Sequence, residues 1–110
     1  MKTIDTSQLK EMRQRNAGLA IVNVLSKEQF EKEHIPDSAN IPLTTTDFEQ
    51  QIRQLAGGKD EPVVVYCASA DCDASPKAAK RLDAAGFTAV YDYEAGMRGW
   101  KQAKLPVNPH

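Results

Sequence analysis

The sequence has few cysteines, almost no net charge and no long apolar run, and each shortage excludes a class of protein. A formal net charge of −1 gives no general attraction to nucleic acid or to anionic lipid. No apolar stretch approaches the ~20 residues needed to span a bilayer, and residues 1–5 lack the apolar segment of a signal peptide. We therefore expect a cytoplasmic protein that binds neither nucleic acid nor membrane, with its two cysteines mostly reduced.

What the sequence does contain is enough apolar material for one folded domain. Its 110 residues are 41% hydrophobic and 26% charged, which is ordinary for a globular protein. A chain of this length buries a hydrophobic core without help from disulfides or a structural metal. We expect a single domain over residues 1–110 that is a monomer or a weak dimer.

Both cysteines lie in one stretch, residues 62–75, which joins a predicted strand to a predicted helix. The run Val63-Val64-Val65-Tyr66-Cys67 is short, apolar and β-branched, which is typical of a strand buried on both faces. Cys67 ends this run, at the position where open α/β sheets bind their ligands. A Cys-x4-Cys pair offers only two ligands, too few for a zinc site. The stretch therefore predicts a reactive thiol and no metal site.

Strands and helices alternate along the rest of the chain, a pattern that predicts a parallel sheet covered by helices on both faces. Hydroxyl side chains are placed to cap three of the predicted helices, each at the start of its helix: Thr6 or Ser7, Ser26, and Ser75. Leu55 shares the apolar spacing of the third helix, which predicts that it faces the core. The predicted strands begin near residue 4 and cover 19–24, a short segment within 34–42, 63–67 and 87–91. The predicted helices cover 7–15, 27–32, 48–55, 76–85 and 95–100.

Four segments resemble the rhodanese family of sulfurtransferases, and they occur in the family's order. Residues 33–42, Glu-His-Ile-Pro-Asp-Ser-Ala-Asn-Ile-Pro, resemble its His-Ile-Pro-Gly-Ala-x-Asn-Ile-Pro signature. Residues 21–30 resemble its strand–turn–helix opening, residues 63–67 the strand that delivers the reactive cysteine, and residues 86–107 its C-terminal hallmark. The resemblance implies an α/β, rhodanese-like fold with a central parallel five-stranded sheet flanked by helices on both faces.

The same resemblance implies the chemistry of Cys67. This residue occupies the position of the family's catalytic cysteine, which accepts a sulfane sulfur, becomes a persulfide and passes the sulfur to a nucleophilic acceptor. Backbone N–H groups of such a loop, together with the dipole of the next helix, favour an anion. The implied partner is a small sulfur donor or a persulfide-carrying protein, and no cofactor is expected. The implied active-site loop consists of Ala68, Ser69, Ala70, Asp71, Asp73 and Ala74.

This loop departs from that of the thiosulfate-using members of the family. They carry an arginine and a glycine in a shorter loop, whereas residues 68–74 contain neither and include Asp71 and Asp73. A carboxylate ~6 Å from a thiolate costs on the order of 2–3 kcal/mol before salt screening, at an effective dielectric near 20. The cost largely vanishes if the carboxylates point into solvent. The acidic loop therefore favours polysulfide or a protein persulfide over thiosulfate as the donor.

A second cysteine is the other departure in the loop. Cys72 follows Cys67 by five positions and has two interpretations. It is either a small loop residue without a role, or a resolving thiol that attacks a persulfide or sulfenate on Cys67 and closes a disulfide. The opening segment departs as well, since Asn23-Val24-Leu25 stands where the family has Asp-Val-Arg. We expect a neutral arrangement there in place of an ion pair.

Two cations are candidates to bind an anionic substrate. By resemblance, residues 96–100 lie close to the active-site loop, which makes Arg98 a possible substrate-binding residue, with an exposed surface arginine as the alternative. Lys77 lies on the helix after the loop and is a second possibility. His34, within the signature, is expected to brace a turn through hydrogen bonds and not to act as a base.

Two functions from different classes follow from these residues. The first is a sulfurtransferase that carries sulfane sulfur on Cys67, from thiosulfate, polysulfide or a protein persulfide to a thiophilic acceptor. The alternative is a non-catalytic, rhodanese-like binding or redox-sensing module that uses the Cys67/Cys72 pair. Relatives of this fold with phosphatase or arsenate reductase activity use Cys-x5-Arg loops. That chemistry is not expected here, because Asp73 stands at the position of the arginine.

Overall fold

The computed structural model of this chain describes residues 1–108, in which five strands alternate with five helices. The strands are β1 (Lys2–Ile4), β2 (Ala20–Asn23), β3 (Ala39–Asn40), β4 (Val63–Tyr66) and β5 (Val90–Tyr93). The helices are α1 (Thr6–Arg15), α2 (Lys27–Lys32), α3 (Phe48–Ala56), α4 (Ala74–Ala84) and α5 (Gly96–Gln102).

All five strands belong to one parallel sheet in the order β1-β5-β4-β2-β3. The central strand is β4, whose Val65 lies opposite Val22 of β2 on one side and Asp92 of β5 on the other. The predicted α/β fold with a five-stranded parallel sheet is confirmed. Because the carboxyl ends of parallel strands share one edge, Cys67 follows β4 at the ligand-binding edge of the sheet.

Two apolar layers cover the sheet, one on each face. Val63 and Val65 of β4 face α3 and α4 in a cluster with Phe48, Ile52 and Leu82. The other two residues of β4 point the opposite way, into a second cluster built by α1, α5 and the loop before β3: Val64, Tyr66, Leu9, Ile35, Met97 and Trp100. Every residue of β4 is buried, which explains why its sequence shows no polar alternation.

Several predicted element ends differ from the structure. The first helix is capped by Asp5 and not by Thr6 or Ser7: the Asp5 carboxylate accepts the Gln8 N–H (2.8 Å), and the Gln8 side chain accepts the Asp5 N–H (2.9 Å). Ser26 does cap α2, through the N–H of Gln29. The last helix runs two residues beyond its predicted end.

Other expectations failed for tertiary reasons. Leu55 is 44% exposed, because α3 buries only the side of the helix that carries Phe48 and Ile52. Ser75 is not a cap, since α4 begins at Ala74, two residues before its predicted start, and buries Ser75 in its first turn. The last strand is β5 at 90–93 and not 87–91, because the chain leaves α4 through Gly86 (φ 97°) and needs residues 87–89 to reach the sheet.

Candidate active site

Cys67 directly follows the central strand and lies completely buried against the start of α4. Its side chain belongs to the apolar cluster under α3 and α4, together with Val65 and Ala78. The loop then runs over residues 68–73 and returns to the same cluster through Cys72 and Ala74, which are half-buried. The fold therefore brings both cysteines to one place.

The sulfur atoms of Cys67 and Cys72 are joined in a disulfide, with the two Cα atoms 6.4 Å apart. That separation lies within the range that a disulfide spans. Residues 1–108 contain no other cysteine, so the structure holds the oxidised form of the pair, whereas the sequence led us to expect reduced thiols. In this form Cys67 is inaccessible to a small molecule, and Cys72 is the more exposed partner.

Helix α5 fixes the carbonyl side of the loop. The N–H of Met97 donates to the carbonyl oxygen of Cys67, and the N–H of Arg98 donates to that of Ala68, both at 2.9 Å. This approach requires Gly96, whose φ is 61° and whose position leaves no room for a Cβ atom against the Cys67 carbonyl group. The loop and the first turn of α5 thus form one hydrogen-bonded unit.

The amide side of the loop is free. The N–H groups of residues 68–71 and 73–75 find no acceptor within the part of the chain that the structure describes, whereas that of Cys72 donates to Ser69. Helix α4, eleven residues long, begins at Ala74, so the last two of these groups lie at its positive dipole end. Unengaged N–H groups at a helix start are suited to hold an anion such as a thiolate or persulfide.

The two loop aspartates have little effect on that anion site. Asp71 and Asp73 are both exposed, and Asp73 forms an ion pair with Lys77 (3.0 Å) in which its side chain stays 78% exposed. Water screens carboxylates in such positions, so the repulsion anticipated from the sequence is small. Lys77, a predicted substrate-binding residue, is occupied by this pair and lies outside the cleft beside the loop.

An open cleft of about 620 Å³ lies beside the loop. Its walls come from α2 with the flanking Leu25, from the loop residues Ala68 and Ser69, and from α5. The charged groups at its surface are Lys32, Glu33, Arg98 and Lys101. Lys101 pairs with Glu33 at 2.9 Å, while Lys32 and Arg98 form no ion pair with any described residue. The cleft is therefore cationic, and Arg98, an exposed residue, lines it.

Comparison of the amino-acid sequence with models of known protein families supports this assignment of the fold. A family model described as the rhodanese-like domain matches residues 5–103. The chain belongs to the rhodanese-like domain family. Residues 1–108 of this rhodanese-like chain include no helix with the length and apolar content to cross a membrane. The same residues bring no three His, Cys, Asp or Glu side chains together around a metal ion.

Relatives of this rhodanese-like domain include proteins with different names. It is 34% identical over 105 residues to the uncharacterized protein slr1261 of Synechocystis, and 34% identical over 98 residues to the HTH-type transcriptional regulator Rv0324 of Mycobacterium tuberculosis. These matches cover 96% and 88% of the chain but only 55% and 41% of the relatives, so the chain spans about half of their length.

A third relative is matched over most of its length. The thiosulfate sulfurtransferase GlpE of Pseudomonas syringae is 33% identical over 101 residues, which are 91% of this chain and 87% of that protein. Among solved structures, the BH2092 protein of Bacillus halodurans superposes with a TM-score of 0.84 at 24% identity, over 98% of this chain and 77% of that one. At that identity the likeness shows the fold alone.

Two signature segments of the rhodanese-like domain serve its architecture. Asn23 is buried, its Oδ1 accepts the N–H of Leu25 (2.9 Å), and Asn40 Nδ2 donates to the Leu25 carbonyl oxygen (2.9 Å). This arrangement is neutral, as expected from the missing charges. His34 stacks on Phe30 with ring centroids 3.9 Å apart, and its Nδ1 lies 2.8 Å from the Phe30 carbonyl oxygen, so its contacts brace the turn.

One residue of the site region was missed in the sequence. Asp92, in the middle of β5, is only 2% exposed, and its Oδ1 has no hydrogen-bond partner among the described residues. Burial raises the pKa of Asp92 above its ordinary value, the nearby Ser75 hydroxyl offsets part of that rise, and the Glu94 carboxylate adds to it. The Ser75 Oγ is buried and completes no hydrogen bond of normal geometry either. The sequence feature that could have indicated this buried residue is an aspartate within an otherwise apolar strand.

Proposed function

We propose that this rhodanese-like domain is a sulfurtransferase that carries sulfane sulfur as a persulfide on Cys67. The observation that carries the proposal is the position of Cys67: it directly follows the central strand and begins the loop whose N–H groups have no described acceptor and which leads into α4. The cationic cleft beside the loop supports an anionic donor. The likeness to a protein named thiosulfate sulfurtransferase supports the same reaction class.

The proposed reaction has two displacement steps. The Cys67 thiolate attacks the outer sulfur of the donor, a new S–S bond forms, and the donor's own bond to that sulfur breaks. With thiosulfate, sulfite leaves with the electron pair. An acceptor thiolate then attacks the outer sulfur of the persulfide, and Cys67 leaves as a thiolate. Free N–H groups lower the energy of the anion present after each step.

The proposal also concerns the identity of the sulfur donor. The loop lacks the arginine of thiosulfate-using relatives, yet its two aspartates face solvent, and Lys32 and Arg98 leave the neighbouring cleft with excess positive charge. We therefore include thiosulfate beside polysulfide and protein persulfide, which are all anionic donors. Since the chain spans about half of two relatives, the activity of any longer protein that contains this domain is part of the proposal.

The test is intact-mass spectrometry of the reduced chain after incubation with thiosulfate or polysulfide. We expect a mass gain of one sulfur atom, mapped to Cys67, that disappears when cyanide or a thiol acceptor is added. The Cys67→Ser variant should gain nothing, whereas Cys72→Ser should still be loaded. No gain on reduced Cys72→Ser, in which Cys72 cannot resolve the persulfide, or an equal gain on Cys67→Ser, would contradict the proposal.

The disulfide supports a second candidate function, a redox-sensing module. When Cys67 is bonded to Cys72 it has no thiolate to offer and no exposed surface, so oxidation stops sulfur transfer. A persulfide on Cys67 leads to the same state: the Cys72 thiolate attacks the inner sulfur, the Cys67–Cys72 bond forms, and hydrosulfide leaves with the electron pair. Cys72 is then the resolving thiol of the pair.

Peroxide titration of the reduced chain separates the two candidates. If the protein is a sensor, it loses two hydrogens at a low peroxide concentration, and the peptide map contains the Cys67–Cys72 bond. Such a sensor takes no sulfur from any donor. A sulfurtransferase accepts sulfur while reduced and loses that ability in parallel with disulfide formation. The Cys72→Ser variant is the matched control, because it retains Cys67 and cannot close the bond.

A further inference from the structure

Asp92 is a buried carboxyl group without a counter-ion. It lies in the middle of β5, between β1 and β4, and forms no ion pair with any described residue. Its Oδ1 is one of three buried side-chain atoms without a hydrogen-bond partner in residues 1–108. Buried carboxyl groups are costly unless they are paired or neutral, so an unpaired one calls for an explanation.

The sheet register places Asp92 on the same face of the sheet as Cys67, one strand away. Val65 of β4 lies opposite Asp92, and side chains two positions apart on a strand share a face, so Cys67 projects from the same face as Asp92. Positions offset by two residues on adjacent strands have Cα atoms roughly 8 Å apart. Both side chains extend into the layer between the sheet and α4, where Ser75 supplies the other unpartnered polar atom.

The surroundings of Asp92 favour its neutral form. The groups around it are Ser75 from α4, Val65 opposite it on β4, Thr3 opposite it on β1, and Glu94 two residues along its own chain. None of these is a cation, and the Glu94 carboxylate opposes a second negative charge. Burial, which raises the pKa of Asp92, acts in the same direction.

We propose that Asp92 is the proton donor and acceptor for Cys67 when the Cys67–Cys72 disulfide opens and closes. The inference rests on the redox pair of the proposed function. An external dithiol attacks the more exposed Cys72 sulfur, the Cys67–Cys72 bond breaks, and the electron pair stays on Cys67. The Asp92 carboxyl group gives its proton to this buried sulfur. The second thiol of the reductant then displaces Cys72 as a thiolate, which takes a proton from water.

The closing direction uses the same group. In a mixed disulfide between Cys72 and an external thiol, Cys67 attacks the Cys72 sulfur, the Cys67–Cys72 bond forms, and the external thiol leaves as a thiolate. The Asp92 carboxylate removes the proton of the Cys67 thiol in this step. A general acid or base is needed at this sulfur because Cys67 is fully buried, so bulk water does not reach it. The more exposed Cys72 exchanges its proton with solvent and needs no such partner.

The test is the rate at which dithiothreitol reduces the oxidised full chain, followed by acid quenching, alkylation and mass spectrometry over pH 5–9. Asp92→Asn keeps the shape of the side chain but offers no acid. We expect its reduction to be slower on the order of 10²-fold, with the pH inflection of the wild type lost. Glu94→Gln is the matched control, because it removes an exposed carboxylate nearby and should change the rate less than twofold.

A second measurement does not depend on a variant. The carboxyl carbon of Asp92, followed by NMR in the wild type, should titrate above the ordinary aspartate range and at different pH values in the oxidised and reduced forms. Identical titrations in both forms, or an Asp92→Asn rate and pH profile equal to the wild type, would overturn the role of Asp92. If the reduced chain never loses two hydrogens on peroxide treatment, the redox pair itself is absent and the proposed sensor fails instead.

Discussion

Replacing Gly96 by alanine tests whether α5 holds the active-site loop. An alanine at φ 61° adopts a left-handed backbone at a cost of about 1–2 kcal/mol. Its Cβ would also lie 2.9 Å from the carbonyl carbon of Cys67 and 3.0 Å from that of Ala68, both backbone atoms that cannot step aside. Relief requires α5 to move away and to weaken two hydrogen bonds to the loop, each worth about 1 kcal/mol.

We therefore expect Gly96→Ala to lower the free energy of unfolding by about 3–4 kcal/mol, which a domain of ordinary stability survives. Urea denaturation measures this loss. Gly57→Ala measures the cost of the left-handed backbone alone, since Gly57 has φ 92° and no neighbour nearer than 4.0 Å. Its free energy of unfolding should fall by only about 1–2 kcal/mol. Gly18→Ala has neither problem and should be nearly neutral. The reasoning is refuted if Gly96→Ala loses no more than Gly57→Ala.

Three further substitutions have expected outcomes. Tyr66→Phe removes a hydroxyl that contacts Ser38 Oγ (2.8 Å) and a buried backbone N–H, so urea denaturation should show a loss of about 1–3 kcal/mol. Arg98→Gln should raise KM for thiosulfate about two- to fivefold with kcat unchanged, as for an exposed charge, whereas Lys80→Gln should change neither. Asp92→Asn should be more stable than the wild type at neutral pH and equal to it near pH 3. Burial raises the folded-state pKa of Asp92, so the unfolded chain releases this proton first as pH rises above about 4, and wild-type stability falls.

The sequence was most informative where local chemistry and tertiary structure agree. The apolar run ending at Cys67 predicted both a central strand and a site at its carboxyl end, because burial on two faces leaves an unmistakable composition. Ser26 was predicted correctly as a cap since its partner, the N–H of Gln29, lies in the same turn. Such features depend on a few neighbouring residues, which a sequence displays directly.

Predictions failed at positions whose structure is determined by contacts with residues that are distant in the sequence. Ser75 has the composition of a cap, but packing of α4 on the sheet starts the helix earlier and buries that hydroxyl. Leu55 has helical spacing, yet no element covers its side of α3. Asp92 was overlooked because its neighbour Cys67 lies on another strand, and a register between strands cannot be obtained from one sequence. The oxidised pairing of the cysteines depends on the same three-dimensional placement.

Backbone amides before and after Cys67 differ in how their hydrogens exchange with solvent, because β4 is the central strand of the sheet. Strand residues up to Tyr66 are paired on both sides, so their amide hydrogens exchange with solvent only when the whole domain unfolds. Amides of residues 68–71 have no such protection and exchange from the native state. Cys67 lies at this boundary. The amides of the loop therefore exchange without any loosening of the strand that precedes Cys67.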